Sequence, residues 1–354
     1  MDVKKILIFS LAYYPRVGGA EVAIKEITDR ISDIEFHMVT LRFSAADAPQ
    51  EKLGNLVVHR IGGPKWWYPV GAALKARALD KRQHFDGAWA MMSYMALPAL
   101  FFGRPYALTL QDGDTEGHVF GRLRILPFLP LLRLGFKNAR AMSALSTFLA
   151  EWGRKQGFRG TVEIVPNGAD IQKFAGEKIA HDGVVLITTS RLVHKNAVDD
   201  VIRALPQLPG MRFVVLGTGP EEAKLKELAV GLPVEFIGHV DHADLPRYLH
   251  AADVFVRPSR SEGFGASFAE AFAAGLPVIA TREGGLADFI TPEVAWPVEK
   301  DRPDQIALQI KAILGNPQEA QRVVENARRL VVEKYDWNLI ARDMRERVFA
   351  RLFI

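Results

Sequence analysis

The chain predicts an α/β protein of two tandem halves, each a parallel sheet wrapped by helical crossovers. Three observations carry this. Short apolar runs alternate with stretches of helical period along nearly the whole chain. The alternation restarts after a turn cluster, Pro166-Asn167-Gly168-Ala169-Asp170, near the middle of the 354 residues. Glycines recur where strands hand over to helices, at Gly18-Gly19, at Gly217 and Gly219, and at Gly263 and Gly265. In open α/β sheets the carboxyl ends of the strands are where ligands bind.

The elements follow in order. In the first half, Lys5–Leu11, Glu35–Thr40, Leu56–Arg60, Gly87–Ala90, Tyr106–Leu110, Ala141–Ala144 and Val162–Ile164 predict strands. Ala20–Ile31, Val70–Asp80, Leu123–Phe136 and Thr147–Lys155 predict helices. In the second half, the strands are Val184–Ser190, Arg212–Gly217, Val234–Ile237, Val254–Val256 and Pro277–Ala280. The helices between them are Val198–Leu205, Pro220–Val230, Leu245–His250 and Ala266–Ala274. Two amphipathic helices, Pro303–Leu314 and Pro317–Lys334, each open on a proline, which the first helical turn tolerates. Tyr335-Asp336-Trp337 begins a last helix that runs to Phe353. The pattern is that of two Rossmann-like domains, residues 1–166 and 167–335. No short repeat or low-complexity segment interrupts it.

Composition narrows the class. The chain is 49% apolar and 24% charged, which is globular, and it has no cysteine. Disulfides, thiolate nucleophiles and Cys-ligated metals are excluded, and a reducing, cytoplasmic setting fits. The net charge of +4 suits anionic partners such as nucleotide diphosphates or lipid headgroups and is too small to argue for nucleic acid. Lys4-Lys5 before Ile6–Ala12 imitates a signal peptide, but the apolar run is short and ends in Tyr13-Tyr14-Pro15-Arg16. Gly87–Gly103 carries no Asp, Glu, Lys or Arg over 17 residues, yet Ser93, Tyr94 and Pro98 divide it into strand, turn and helix. No membrane span is expected.

The most informative stretch is Asp253–Asp288. A short apolar strand leads into Pro258-Ser259 and Glu262-Gly263-Phe264-Gly265, then a helix of small residues closed by Gly275 with Pro277 beyond. Glycines ahead of a helix let backbone N–H groups approach a phosphate, and the positive helix end favours the anion. Glu262 and Glu270 bracket that position. The alternative is that they are satisfied core carboxylates. Arg191 and Lys195, in Ser190-Arg191-Leu192-Val193-His194-Lys195-Asn196, follow another strand. Two cations four residues apart there either clamp a diphosphate or form an exposed basic turn.

The Glu262-Gly263-Phe264-Gly265-Ala266-Ser267-Phe268-Ala269-Glu270 segment resembles the mark of the family 4 glycosyltransferases, two glutamates separated by seven residues. These are retaining enzymes of the GT-B fold, two Rossmann-like domains facing across a cleft, with a C-terminal helix that crosses back to the first domain. That places residues 336–354 with the first half. The resemblance covers most of the chain, densest from Ser190 to Asp288. It implies that Arg191 and Lys195 neutralise the departing diphosphate, that Glu270 holds the ribose hydroxyls and that Glu262 holds hydroxyls of the transferred sugar. Gly263, Phe264, Gly265, Ala266 and Ser267 form the anion loop of the donor. Pro166-Asn167-Gly168-Ala169-Asp170 matches a further family motif. The Phe236-Ile237-Gly238-His239 segment matches another, placing Gly238 and His239 beside the base. Gly217-Thr218-Gly219-Pro220 matches a turn assigned mainly to structure. Val17-Gly18-Gly19-Ala20-Glu21 matches a segment that puts Gly18 and Gly19 near the diphosphate and Glu21 on the acceptor side. Tight strand-to-helix packing explains those glycines equally well.

One departure is visible. Where many relatives carry a His, this chain has Gln111, which can hydrogen-bond a sugar but cannot act as a base. Gln111, Asp112 and His118 are the remaining acceptor-side candidates, although His118 reads more readily as an ordinary loop histidine. Asp112-Gly113-Asp114 is the acidic pair that binds metal in another glycosyltransferase fold, discounted here because that fold leaves Glu262 and Glu270 unexplained. Two segments mix aromatics, aliphatics and cations: Lys65-Trp66-Trp67-Tyr68 through Arg77, and Gly121–Lys137 with Arg122, Arg124 and Arg133. Each reads as a core-facing helix with solvated cations or as a face for an anionic membrane.

The resulting expectation is a metal-independent, retaining hexosyltransferase without a cofactor. It moves sugar from a nucleotide-diphosphate sugar to a glycan or lipid-linked acceptor in polysaccharide biosynthesis, and is cytoplasmic or peripheral on the inner membrane face. Rivals are a non-catalytic nucleotide-sugar-binding subunit, an epimerase or phosphorylase on the same fold, and a dehydrogenase, which the lack of G-x-G-x-x-G after the first strand disfavours.

Overall fold

The computed structural model describes residues 3–123 and 125–354. It divides into two compact units, Met1–Asn167 with Trp337–Ile354, and Gly168–Asp336.

The first unit is built on β1 (Lys4–Phe9), β2 (Ile34–Leu41), β3 (Gln50–Leu53), β4 (Leu56–Ile61), β5 (Gly87–Met91), β6 (Tyr106–Leu110), β7 (Ala141–Ala144) and β8 (Val162–Ile164). Their order is β3-β4-β2-β1-β5-β6-β7-β8. Every pairing is parallel except β3 with β4. The central strands are apolar on both faces because helices cover both. Ile6, Ile8, Phe36, Met38 and Trp89 are fully buried in one core with Ile24 and Ile27 of helix Gly19–Arg30.

β3 was not anticipated. Its sequence, QEKL, is polar and sits on the sheet edge, so the apolar signal is missing. The available signal was the two-residue loop Gly54-Asn55, with Gly54 at φ 58°, joining Leu53 to its partner Leu56. Asn55 completes the corner by donating to the carbonyls of Thr28, Ile31 and Ile34.

The expected helix Leu123–Phe136 is shorter and divided. A 3-10 turn spans Leu126–Phe128 and an α-helix spans Leu129–Asn138. Pro127 and Pro130 explain this, since each lacks an N–H and belongs in a first turn. The expected C-terminal helix begins at Trp337 but is α-helical only to Asp343. It widens to a π-turn over Met344–Val348 and tightens to 3-10 over Phe349–Phe353. The change of winding keeps Trp337, Ile340, Met344, Val348, Phe349 and Leu352 in the first unit's core. Arg347 and Arg351 also pair with Glu163 at the end of that sheet.

The second unit has β9 (Val184–Thr189), β10 (Met211–Leu216), β11 (Val234–Gly238), β12 (Val254–Arg257), β13 (Val278–Ala280) and β14 (Trp296–Pro297), in the order β11-β10-β9-β12-β13-β14. All pairings are parallel. The chain builds outward from β9 through β10 to β11, then returns to lay β12 on β9's other side. The strand order reverses between β9 and β12, and open α/β sheets bind ligands outside the carboxyl ends at such a switch point.

Candidate functional site

Arg191 follows β9, and the Glu262 loop follows β12. The two motifs picked from sequence therefore flank the switch point of the second sheet. The turn after β10 holds the first in place. Gly219 lies so close to the backbone of Leu192 that a Cβ would come within 2.2 Å of its carbonyl oxygen. Gly217, at φ 129°, would place one 1.9 Å from Ser190 O. Ladder-like bonds run from Leu192 N–H to Thr218 O (2.9 Å) and from Glu221 N–H to Leu192 O (3.0 Å). The Gly217–Pro220 turn thus shapes the Arg191 segment.

Arg260 pins the same segment from the other side. Its guanidinium donates to His194 O at 2.8 Å and to Asp199 and Asp200, and its N–H donates to Lys195 O at 2.7 Å. Burial pushes the Asp200 carboxyl up, and the neighbouring Asp199 adds to the rise. Arg191 points outward and, among the described residues, its guanidinium has no hydrogen-bond or ion-pair partner. A cation held by its backbone and unengaged at its head is available to an anion.

The residue that sequence reasoning missed is Arg257, the last of β12 and 8% exposed. One terminal nitrogen, Nη2, donates to Asn196 Oδ1 (3.1 Å) and to Glu262 Oε2. The other, Nη1, donates to Ser267 Oγ (2.6 Å). The Phe268 ring lies 5.2 Å from the guanidinium carbon. Arg257 therefore ties the Arg191–Asn196 segment, the glutamate loop and the first turn of helix Ala266–Ala274 together. A charged residue ending an otherwise apolar buried strand was the signal.

Glu262 is 7% exposed. Besides Arg257 it accepts the Gly263 N–H at 3.2 Å. Two of its roughly four lone-pair positions are filled, which leaves capacity for a hydroxyl. Gly284 covers its backbone, where a Cβ would approach Glu262 O to 2.3 Å, and Gly285 N–H donates to that oxygen at 2.8 Å. Gly265 caps helix Ala266–Ala274 at φ 80°, with no side-chain cap, so that helix's first N–H groups stay open to an anion. Gly263 and Phe264 are buried, while Ala266 and Ser267 are half-buried at the helix start. Phe264 packs on Phe289 and Tyr335 at 5.3 Å each, which anchors the loop.

Glu270 lies on the same helix, and its Oε1 meets His242 Nε2 at 2.8 Å. Gly238 is at φ 84° and its carbonyl accepts the Gly217 N–H at 2.7 Å. His239 extends into solvent, 3.6 Å from Asp241.

The first unit's candidates are held differently. Glu21 accepts the Gly18 N–H at 2.8 Å, the backbone half of a capping box on helix Gly19–Arg30. Burial pushes its carboxyl up, against the pull of that hydrogen bond. A Cβ on Gly19 would lie 3.6 Å from Gln111 Nε2, an ordinary contact, so packing alone does not demand glycine there. Gln111 Oε1 is buried and has no hydrogen-bond partner among the described residues. Asp112 is held inside the fold. It is 4% exposed and accepts from Ser93 Oγ at 2.6 Å and Ser93 N–H at 3.3 Å. This tie holds the turn after β5, where Met92 has φ 76°, a costly value for a side chain without glycine's freedom. Burial pushes the Asp112 carboxyl up. His118 is exposed on helix Glu116–Phe120, whose Val119 and Phe120 are buried, and accepts from Arg122 at 3.2 Å.

Trp66 is 79% exposed, and Trp67, Val70 and Leu74 continue its face along helix Tyr68–Gln83. Leu126, Phe128 and Leu134 are exposed on the segment leading through helix Leu129–Asn138. Helix Ala96–Phe102 packs between those two helices. The Lys65–Trp67 turn follows the carboxyl end of β4. Lys65, Arg77 and Arg133 are exposed beside these apolar side chains. Arg124 lies outside the described residues. Among the described residues no helix is long and apolar enough to cross a membrane.

Fold and site together define a nucleotide-sugar-dependent glycosyltransferase with two Rossmann-like domains. Residues 170–330, nearly all of the second unit, match the family described as Glycosyl transferases group 1, and the chain is a hexosyl-type glycosyltransferase carrying that domain. It is 25% identical over 373 residues to a GDP-mannose-dependent monoacylated alpha-(1-6)-phosphatidylinositol monomannoside mannosyltransferase of Corynebacterium glutamicum, covering 95% of this chain and 96% of that one. Sucrose-phosphate synthase of Thermosynechococcus elongatus shares the fold, with TM-score 0.84, 19% identity and 99% of each chain covered. So does an Anabaena protein, HepE, solved in complex with UDP-glucose, with TM-score 0.82, 19% identity, and 98% of this chain and 99% of that one covered.

Proposed function

We propose that the protein is a retaining, metal-independent hexosyltransferase that moves sugar from a nucleotide-diphosphate sugar to a lipid-linked acceptor. The observation that carries this is the group of anion-binding elements at the second sheet's switch point. Among the described residues the Arg191 guanidinium has no partner, and helix Ala266–Ala274 presents an uncapped positive end beside it in the sequence of strand ends.

The chemistry follows from charge. The bond from sugar C1 to the diphosphate oxygen breaks through an oxocarbenium-like state, and the acceptor oxygen forms the new bond to C1. Negative charge grows on the departing diphosphate. Arg191, Lys195 and the open N–H groups after Gly265 stabilise it more in the transition state than in the ground state. Attack from the leaving-group face retains the configuration, and the acceptor's proton passes to the departing diphosphate. Glu262, clamped by Arg257, holds a sugar hydroxyl and is not the nucleophile. Glu270 holds the ribose. Gly238 and His239 lie near the base.

GDP-mannose is the first donor to test, because the full-length mannosyltransferase relative is named for it. The same name supports a lipid-linked acceptor. The exposed aromatics of the first unit, rimmed by Lys65, Arg77, Arg122 and Arg133, complement an anionic membrane surface with tryptophans below the headgroups. Placement at the cytoplasmic membrane face follows.

The test incubates purified protein with GDP-mannose or UDP-glucose and lipid acceptors in EDTA, then assigns the product anomer by NMR. Retained configuration with undiminished turnover in EDTA is expected. An inverted product sinks the retaining assignment, and activity restored only by added Mg²⁺ sinks metal independence. Donor binding without transfer or hydrolysis would point to a non-catalytic subunit. Co-sedimentation with anionic vesicles should fall sharply in Trp66→Ala/Trp67→Ala, and equal pelleting of that variant would remove the membrane face.

A further inference from the structure

The carboxylate assigned to the ribose does not stand alone. Glu270 is mostly buried, its side chain 13% exposed, and His242 Nε2 lies 2.8 Å from its Oε1. On the far side of the imidazole, Nδ1 lies 2.6 Å from Lys173 Nζ. A lysine ammonium only donates, so Nδ1 must accept. The ring's hydrogen is then on Nε2, and Nε2–H donates to Glu270. The tautomer is fixed by its neighbours.

Three different pieces of chain build this relay. His242 comes from the loop after β11. Glu270 comes from helix Ala266–Ala274. Lys173 comes from the short helix Ile171–Phe174, whose first turn is capped by Asp170, accepting the Lys173 N–H at 3.0 Å. Phe174, fully buried, meets the imidazole edge-on with centroids 5.5 Å apart. The imidazole is 43% exposed, yet both its nitrogens are engaged and its ring meets a buried phenylalanine. With Oε1 engaged, Oε2 of Glu270 has no partner among the described residues and is the oxygen left for a hydroxyl.

We propose that His242, fixed by Lys173 and Phe174, is the positioning residue for Glu270 and sets how strongly the site reads the ribose hydroxyls of the nucleotide. This rests on the ribose role proposed for Glu270. Without His242 the carboxylate loses its fixed orientation. Affinity for the base and diphosphate remains, and discrimination between ribose and deoxyribose falls.

The experiment titrates the full chain calorimetrically with GDP, UDP and ADP and with their 2′,3′-dideoxy forms, and compares the affinity ratio. A hydrogen bond to a charged group predicts a ratio of about tenfold or more in the wild type. Glu270→Gln should collapse it. His242→Ala should reduce it at least threefold, and His242→Gln, which keeps a donor amide, should restore most of it. Lys173→Met gives a second route to the same loss if His242→Ala does not fold. An unchanged ratio in His242→Ala and Lys173→Met, or equal weakening of both nucleotide forms, overturns the positioning role and leaves Glu270's role standing. No binding by wild type, or an unchanged ratio in Glu270→Gln, overturns the ribose role and this inference with it.

Discussion

The two sheets end in loops of similar appearance whose charged groups are partnered differently. In the first unit, Glu21 closes its own helix and Asp112 holds the turn at Ser93. The polar groups there stabilise the fold. In the second unit, Arg257 and Arg260 do the structural work from behind; among the described residues the Arg191 guanidinium has no hydrogen-bond or ion-pair partner, and helix Ala266–Ala274 has no side-chain cap. The difference teaches that a motif's charged residues need not be its ligand contacts. Buried partners one layer below determine which are free.

The comparison breaks most readily at Arg257. Arg257→Met leaves Glu262 buried without its counter-charge, and losing one partner of a buried pair costs about 3–5 kcal/mol. Denaturant unfolding should show that loss for the second unit, together with lost activity; unaltered stability would mean the clamp is not structural. Arg191→Ala should do the reverse. Stability should stay within about 0.5 kcal/mol, since among the described residues the exposed head group has no hydrogen-bond or ion-pair partner. Turnover should fall about 10²–10³-fold if it stabilises the leaving group. Unchanged turnover would remove Arg191 from the chemistry.

An acid titration sharpens the contrast. His59 is buried against His37, 3.0 Å away, and burial, then the His37 charge, lowers its pKa from 6.5 to about 4. The unfolded chain takes up that proton near 6.5 and the folded chain does not until about 4. Stability is therefore present above 6.5 and is lost as pH falls from 6.5 toward 4. Unfolding free energies at pH 7 and pH 5 should differ less in His59→Phe than in wild type. An identical pH slope would show that the pair does not report on folding.

The smallest expected effect is at the first helix. Glu21→Ala should cost about 1 kcal/mol, the scale of a lost cap, seen as a lowered unfolding midpoint. If nucleotide affinity is unchanged, Glu21 belongs to the fold. A large loss of transfer with intact stability would return it to the acceptor site.

Much of this was legible in the chain. Strand and helix alternation gave the two parallel sheets, because an apolar run buried on both faces looks the same wherever it pairs. The glycines and Glu262, Glu270, Arg191 and Lys195 stood out because their spacing is local to a strand end. β3 did not, since an edge strand has no apolar face to announce it. Gly284 and Gly219 could be seen, but not the carbonyls they approach.

What the sequence by itself determined is therefore local: which segments are strands, where helices start, and which loops can meet a phosphate. Tertiary structure alone decided the partners. Arg257 reaches Asn196, 61 residues away, and Lys173 reaches His242 across 69. Ser93, on the neighbouring strand end, ties down the Asp112 carboxylate. Such contacts depend on the order of strands in the sheet, and no short-range pattern encodes that order.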